Sequence, residues 1–264
     1  MTNADLIIMD SILNARVRSY LSDMTRIRSL SALRASGHAY TIDDYVEGMV
    51  RAILANSVPW SRIAPHFTSG TIKRIFHNYS AATLLVVPYM TLVTDLRAIR
   101  CGNRSDVSQM RALANNIRIL QRIIVVYGSI EAYLRPKCPS YPKIPLSALS
   151  DFKTGKVYKL GGMGIPLVCE FFKNMGFLIP KPDVHLKRFL GNDRMGASLR
   201  GQANDGEVFS QVDTLASGGR FTIPEIDLII WSFCAKKYGE ICAKIPNCSS
   251  CPFHRLRGGP CHHP

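Results

Sequence analysis

Residues 160–190 read LGGMGIPLVCEFFKNMGFLIPKPDVHLKRFL. Gly161, Gly162 and Gly164 mark a tight turn, and Pro166 suits the first turn of a helix that stops at Gly176. A Gly-x-Gly turn lets backbone N–H groups approach a phosphate with no side chain in the way, and a helix start adds partial positive charge. The same turn also joins helices for purely steric reasons. Asp183 stands 19 residues beyond Gly164, ahead of a run whose apolar face is Leu186, Phe189 and Leu190. Aspartate is a common N-cap. A carboxylate held at a helix start is also oriented and rigid, which suits catalysis.

Outward from this stretch the chain reads as helical. Residues 44–55 place Tyr45, Met49, Ala52 and Ile53 on one face. Residues 105–127 repeat Val107, Met110, Leu113, Ala114, Ile117, Leu120 and Ile124 at helical spacing, with Asp106 in the first turn and Arg111 and Arg118 on a wetter side. Residues 225–238 form another helix with Ile226, Ile229, Ile230 and Phe233 inside. The runs 83–87 and 123–127 are β-prone in composition but keep helical spacing, so both are expected as helix. Residues 134–150 hold four prolines and are expected as a loop or linker, and the polar stretch 191–220 suggests a connection between two lobes with one short helix in it.

The chain has 264 residues, 33 Lys+Arg and 19 Asp+Glu, for a net charge of +14. The hydrophobic fraction of 47% excludes wholesale disorder. The length supports one large domain or two small ones. The positive balance makes a polyanion the expected partner, nucleic acid ahead of a membrane surface. Residues 78–94, the longest uncharged run, are too short and too polar to span a bilayer. With no secretory signal visible at the start, a cytoplasmic protein is expected, nucleoid-associated in a prokaryote.

Five of the eight cysteines fall in the last 31 residues, and Cys242, Cys248, Cys251 and Cys261 form the pattern C-x5-C-x2-C-x9-C. In a reducing compartment such a group reads as a metal site rather than as disulfides. Four thiolates suit an iron–sulfur cluster or Zn²⁺, and the spacing alone fits both.

Taken together, L-x-G-x-G, a helix, then x-D-x-H-x-x-R resembles the helix-hairpin-helix–Gly/Pro/Asp superfamily of DNA base-excision glycosylases, which includes endonuclease III and the adenine-mismatch glycosylase. The residues that carry the resemblance are Leu160, Gly162, Gly164, Asp183, His185 and Arg188. The iron–sulfur branch of that superfamily ends in a similar C-x6-C-x2-C-x5-C, with prolines where Pro246 and Pro252 stand here. Residues 50–67 resemble its second helix and polar loop, and 97–120 the helix-loop-helix before the hairpin.

The resemblance implies an all-α fold of two helical lobes, residues 46–184 with the hairpin and residues 1–45 plus 185–264 with the cysteine loop, and Asp183 at the mouth of the cleft between them. It implies a monomeric enzyme acting on double-stranded DNA without a membrane. Asp183 is the expected catalytic residue. The backbone of Gly162, Met163 and Gly164 is expected to grip DNA. Asn56, with Trp60, is expected as wedge or pocket, and His185, Lys187 and Arg188 as phosphate or structural partners. Cys242, Cys248, Cys251 and Cys261 would hold a [4Fe-4S] cluster, with Cys234 in reserve for Cys261. The charges of His254, Arg255 and Arg257 in the tail suit a phosphate.

Departures narrow the chemistry. Pro166 occupies the place of the lysine that forms a Schiff base in bifunctional members, and proline cannot form one, so a monofunctional enzyme with water as nucleophile is expected. Arg51 stands where the adenine-mismatch branch carries its catalytic Glu, and the Tyr that often marks the thymine/uracil branch is replaced by the same Pro166. The excised base therefore stays open. Two alternatives remain: a non-catalytic DNA-binding or lesion-sensing protein with a structural metal cluster, and a zinc-dependent nucleic-acid protein.

Overall fold

The structure is a computed structural model that describes residues 1–155, 157–254 and 259–263. The described residues form helices joined by turns, with no extended strand, so the chain is all-α. None of these helices is long and apolar enough to cross a membrane.

The chain divides into two compact units, residues 33–177 and residues 1–32 together with 178–264. The expected divisions at 45/46 and 184/185 thus fall elsewhere, and Asp183 belongs to the unit that carries the cysteine tail. The reason is packing: Leu186, Phe189 and Leu190, which follow Asp183, are buried in that unit's core.

Helices α1 (Asn3–Arg16) and α2 (Tyr20–Ala35) open the chain, and the division falls within α2. Then come α3 (Ile42–Leu54), α4 (Trp60–Thr68), α5 (Thr71–Ile75), α6 (Ala81–Leu84), α7 (Tyr89–Ala98), α8 (Asp106–Tyr127), α9 (Ile130–Leu134), α10 (Ser150–Lys153) and α11 (Ile165–Asn174). The last three are α12 (Val184–Phe189), α13 (Asp205–Ala216) and α14 (Ile223–Cys234).

In residues 33–177, α3 packs against α11 and α7 against α8. A capping box between Thr41 and Asp44 starts α3, and nearly all of its later residues are buried. Arg34, almost wholly buried, ties the end of α11: Nε and Nη2 donate to the Met175 carbonyl at 3.0 and 2.8 Å, and Nη1 donates to Glu131 at 2.5 Å. Such a cation at a helix end satisfies carbonyls that have no partner within the helix.

The stripe that α8 buries differs from the expected one. Val107, Ala114 and Ile124 are only half-buried, while Gln109, Asn116 and Ile123 are inside with Met110, Leu113, Ile117 and Leu120. Residues 123–127 are helical as expected. The run 83–87 is helical only to Leu84, because the residue before a proline is biased away from the helical region and Pro88 follows.

In the other unit, α1, α12 and α13 each pack against α14 around a core that includes Leu6, Met9, Phe189, Val208, Ile229 and Phe233. The helix expected over 225–238 ends at Cys234, and Ala235 is extended. The chain then turns back, so that the N–H groups of Ile241 and Cys242 donate to the Phe233 carbonyl at 3.0 and 3.2 Å. These bonds use a carbonyl near the helix end and bring the cysteine tail onto α14.

Candidate functional site

In residues 33–177 the candidate site is the turn that leads into α11. Gly162 has φ of +70°, which favours glycine. Gly164 is different. It N-caps α11 with an ordinary extended backbone, and a Cβ there would meet only Pro166 Cδ at 3.8 Å. Nothing inside the unit thus requires glycine at 164. Gly162 and Gly164 are exposed, whereas the Met163 side chain is buried, leaving only its backbone for the contact expected of it.

Asn56 lies half-buried in the loop between α3 and α4, its side-chain carbonyl accepting from the Ser57 hydroxyl at 3.2 Å. Trp60 opens α4 and packs against Phe67 with ring centroids 5.6 Å apart. Arg51 pairs with Glu47 at 2.9 Å and lies over the Phe67 ring.

In the other unit, Asp183 N-caps α12. Its Oδ1 accepts from the backbone N–H groups of His185 at 2.8 Å and Leu186 at 3.2 Å. Its Oδ2 stands 4.0 Å from the Lys181 ammonium, and the Asp183 side chain is 15% exposed. One oxygen is thus locked by backbone while the carboxylate keeps an opening to solvent. Lys181 is itself positioned from α14: its backbone N–H donates to Oδ2 of the buried Asp227 at 2.7 Å. Neither residue was singled out from the sequence, although a carboxylate inside the apolar run IPEIDLIIWSFC is a visible anomaly.

The three residues expected at a phosphate have different surroundings. His185 is half-buried with its ring edge toward Trp231, and its Nδ1 is buried without a partner. Burial pushes its pKa down, helped by Arg188 and Lys181 and opposed by Asp183, so the ring is mainly neutral at pH 7. Arg188 is turned inward, with Nη1 buried and its charge felt by Cys234 and Cys242. Lys187 is nearer the surface and pairs with Asp205 at 2.6 Å. Helix geometry accounts for the split, since α12 buries the face that carries Leu186 and Phe189.

The cysteine tail folds onto the end of α14. Cys242, Cys251 and Cys261 are buried, Cys248 is half-buried, and all are free thiols. Burial first, then the charges of Cys261, Cys242 and Cys248, pushes the Cys251 thiol up to about 11. Cys261 is raised by burial and by Cys242 and Cys248. Cys242 is lowered by a hydrogen bond from Cys234 and by Arg194 and Arg188. Cys234 is fully buried and pairs with Cys242. Cys251 and Cys261 thus each lie near Cys242 and Cys248, while Cys242 is also the partner of Cys234. Among the described residues no three His, Cys, Asp or Glu side chains stand in a metal-holding arrangement. His254, expected to meet a phosphate by charge, is buried, and Arg255 and Arg257 lie outside the described residues. An open depression of about 400 Å³ beside Asp193, Ser198 and His262 holds none of the candidate catalytic groups.

Neither a family model, a curated protein nor a solved structure matches the chain.

Proposed function

We propose that this chain is a monofunctional DNA glycosylase, which hydrolyses the N-glycosidic bond of a damaged, mismatched or modified base everted from duplex DNA. The observation that carries this reading is the Asp183 carboxylate, fixed at Oδ1 by two backbone N–H groups and partly open to solvent. Departure of the base leaves positive charge on the sugar, and a preorganised anion stabilises that charge without reorganising. The same carboxylate orients the attacking water and accepts its proton. Eversion costs a few kcal/mol in broken stacking. Backbone contacts at Gly162 and Gly164 and the net charge of +14 offset that cost.

A [4Fe-4S] cluster on Cys242, Cys248, Cys251 and Cys261 is proposed from their sequence spacing, although the side chains as they stand do not form a metal-holding arrangement. Cys251 and Cys261 are raised, first by burial and also by Cys242 and Cys248 nearby, and a cationic centre would favour their thiolates. When bound, the cluster would crosslink the tail as a structural element. Arg188 and Arg194 place positive charge beside Cys242.

The test is a panel of duplex oligonucleotides holding uracil, thymine mismatches, oxidised, alkylated or hypermodified bases. Base release is expected on one class, with strand breaks only after alkali. Breaks without alkali would overturn the monofunctional assignment. Salt-sensitive binding without release across the panel would favour a lesion-sensing module.

A further inference from the structure

Two buried side-chain amides on α8 hold the glycine turn. Asn116 is fully buried, and its amide makes a two-bond clasp with one residue: Oδ1 accepts from the Gly161 N–H at 2.7 Å, and Nδ2 donates to the Gly161 carbonyl at 2.9 Å. Gln109, on the same buried face of α8, donates through Nε2 to the Gly162 carbonyl at 3.4 Å and accepts from Asn103 Nδ2 at 3.3 Å.

The packing beneath these bonds is close. A Cβ at Gly161 would stand 3.0 Å from Ala112 Cβ, and one at Gly162 would stand 3.2 Å from Gln109 Cγ. A primary amide carries a donor and an acceptor in one plane, so it satisfies both backbone groups of Gly161 at once. Apart from Asp106 in the first turn, the rest of this buried face is Met110, Leu113, Ile117, Leu120 and Ile123, among which unpaired amides would be unfavourable. Buried polar groups that are fully paired specify a single geometry.

We propose that Asn116, seconded by Gln109, is a positioning residue for DNA binding. It occupies the polar groups of Gly161 on the side facing α8, Gln109 takes the Gly162 carbonyl, and the turn is thereby held with its backbone from Gly162 to Ile165 presented to a phosphate. This rests on the reading of the hairpin as a DNA contact.

The experiment measures binding of the full chain to a duplex oligonucleotide between 50 and 200 mM salt. For a folded Asn116→Leu variant, affinity is expected to fall about 10-fold and the slope of log K against log [salt] to become shallower by about 0.9 for each phosphate the turn no longer engages. Gly161→Ala, which drives a methyl against Ala112, is expected to reproduce the shallower slope, and adding Ala112→Gly to restore it. A purely structural amide would lower the melting temperature and leave the slope alone, so a folded Asn116→Leu with the wild-type slope overturns the proposal. If Asn116→Leu does not fold, the Gly161/Ala112 pair decides, and an unchanged slope or a failed rescue overturns the proposal. A wild-type chain with no salt-sensitive DNA binding would remove the hairpin reading and this inference together. A normal wild-type slope that Asn116→Leu leaves unchanged would remove this inference alone.

Discussion

Asp183→Asn separates the helix cap that the structure shows from the catalytic role proposed for this side chain. Oδ1 accepts two backbone N–H bonds, at 2.8 and 3.2 Å, and an asparagine carbonyl accepts the same pair. Asn and Asp cap helices about equally well. Any further loss in stability comes from the Lys181 ammonium at 4.0 Å, which is largely buried and so loses more than the ~0–1 kcal/mol of an exposed pair when its partner is neutralised. Catalysis should suffer far more. A full charge about 4 Å from a cationic sugar contributes about 4 kcal/mol at an effective dielectric near 20. Lys181 offsets part of this, which leaves a loss of about 10²–10³-fold in the excision step, in line with removing a preorganised electrostatic group. The assay is single-turnover base release from a duplex oligonucleotide at saturating protein, scored after alkali, with DNA affinity and urea unfolding measured alongside. Affinity should stay within about threefold, because the carboxylate acts on charge that develops only in the transition state. Release within about fivefold of wild type in the folded variant would refute the electrostatic role. In a Lys181→Met background, which removes the ion pair, a stability loss from Asp183→Asn above about 2 kcal/mol would refute the cap argument.

Gly164→Ala should fold normally, because the new Cβ meets only Pro166 Cδ at 3.8 Å, yet weaken DNA binding; Gly162→Ala should lower the melting temperature as well, from φ of +70° and a 3.2 Å approach to Gln109. Asp106 is held below the ordinary carboxylate range, chiefly by the Arg97 hydrogen bonds at 2.8 and 2.9 Å. Its contribution to stability is therefore present above its unfolded pKa near 3.9 and fades as pH falls below it, so denaturation curves of wild type and Asp106→Asn should converge in acid and separate at pH 7. Protein purified without oxygen should be brown and carry iron and sulfide, with Cys251→Ser losing both; a colourless protein binding only zinc would overturn the cluster assignment.

The parts of the candidate site readable in the sequence are those whose chemistry is local. The glycine spacing at 161–164 specifies a turn, Asp183 ahead of Leu186, Phe189 and Leu190 specifies a helix cap, and the cysteine spacing marks a candidate set of metal ligands. Each follows from backbone sterics or from ligands a few residues apart. The helical class was readable for the same reason, since the apolar period of residues 105–127 is a property of the segment alone.

What the folded chain decided depends on which distant segment comes to rest against which. Periodicity placed Ile124 inside α8, but packing against the glycine turn instead buries Gln109 and Asn116, whose amides only then find partners. Charge suggested phosphates for Arg188 and His254, while packing turned the first toward the thiols and buried the second. Lys181 and Asp227 lie 46 residues apart, and only the docking of α12 onto α14 joins them beside Asp183. A helix period states which residues share a face, but the polarity that face must match is set by its neighbour, and the neighbour exists only in the folded chain.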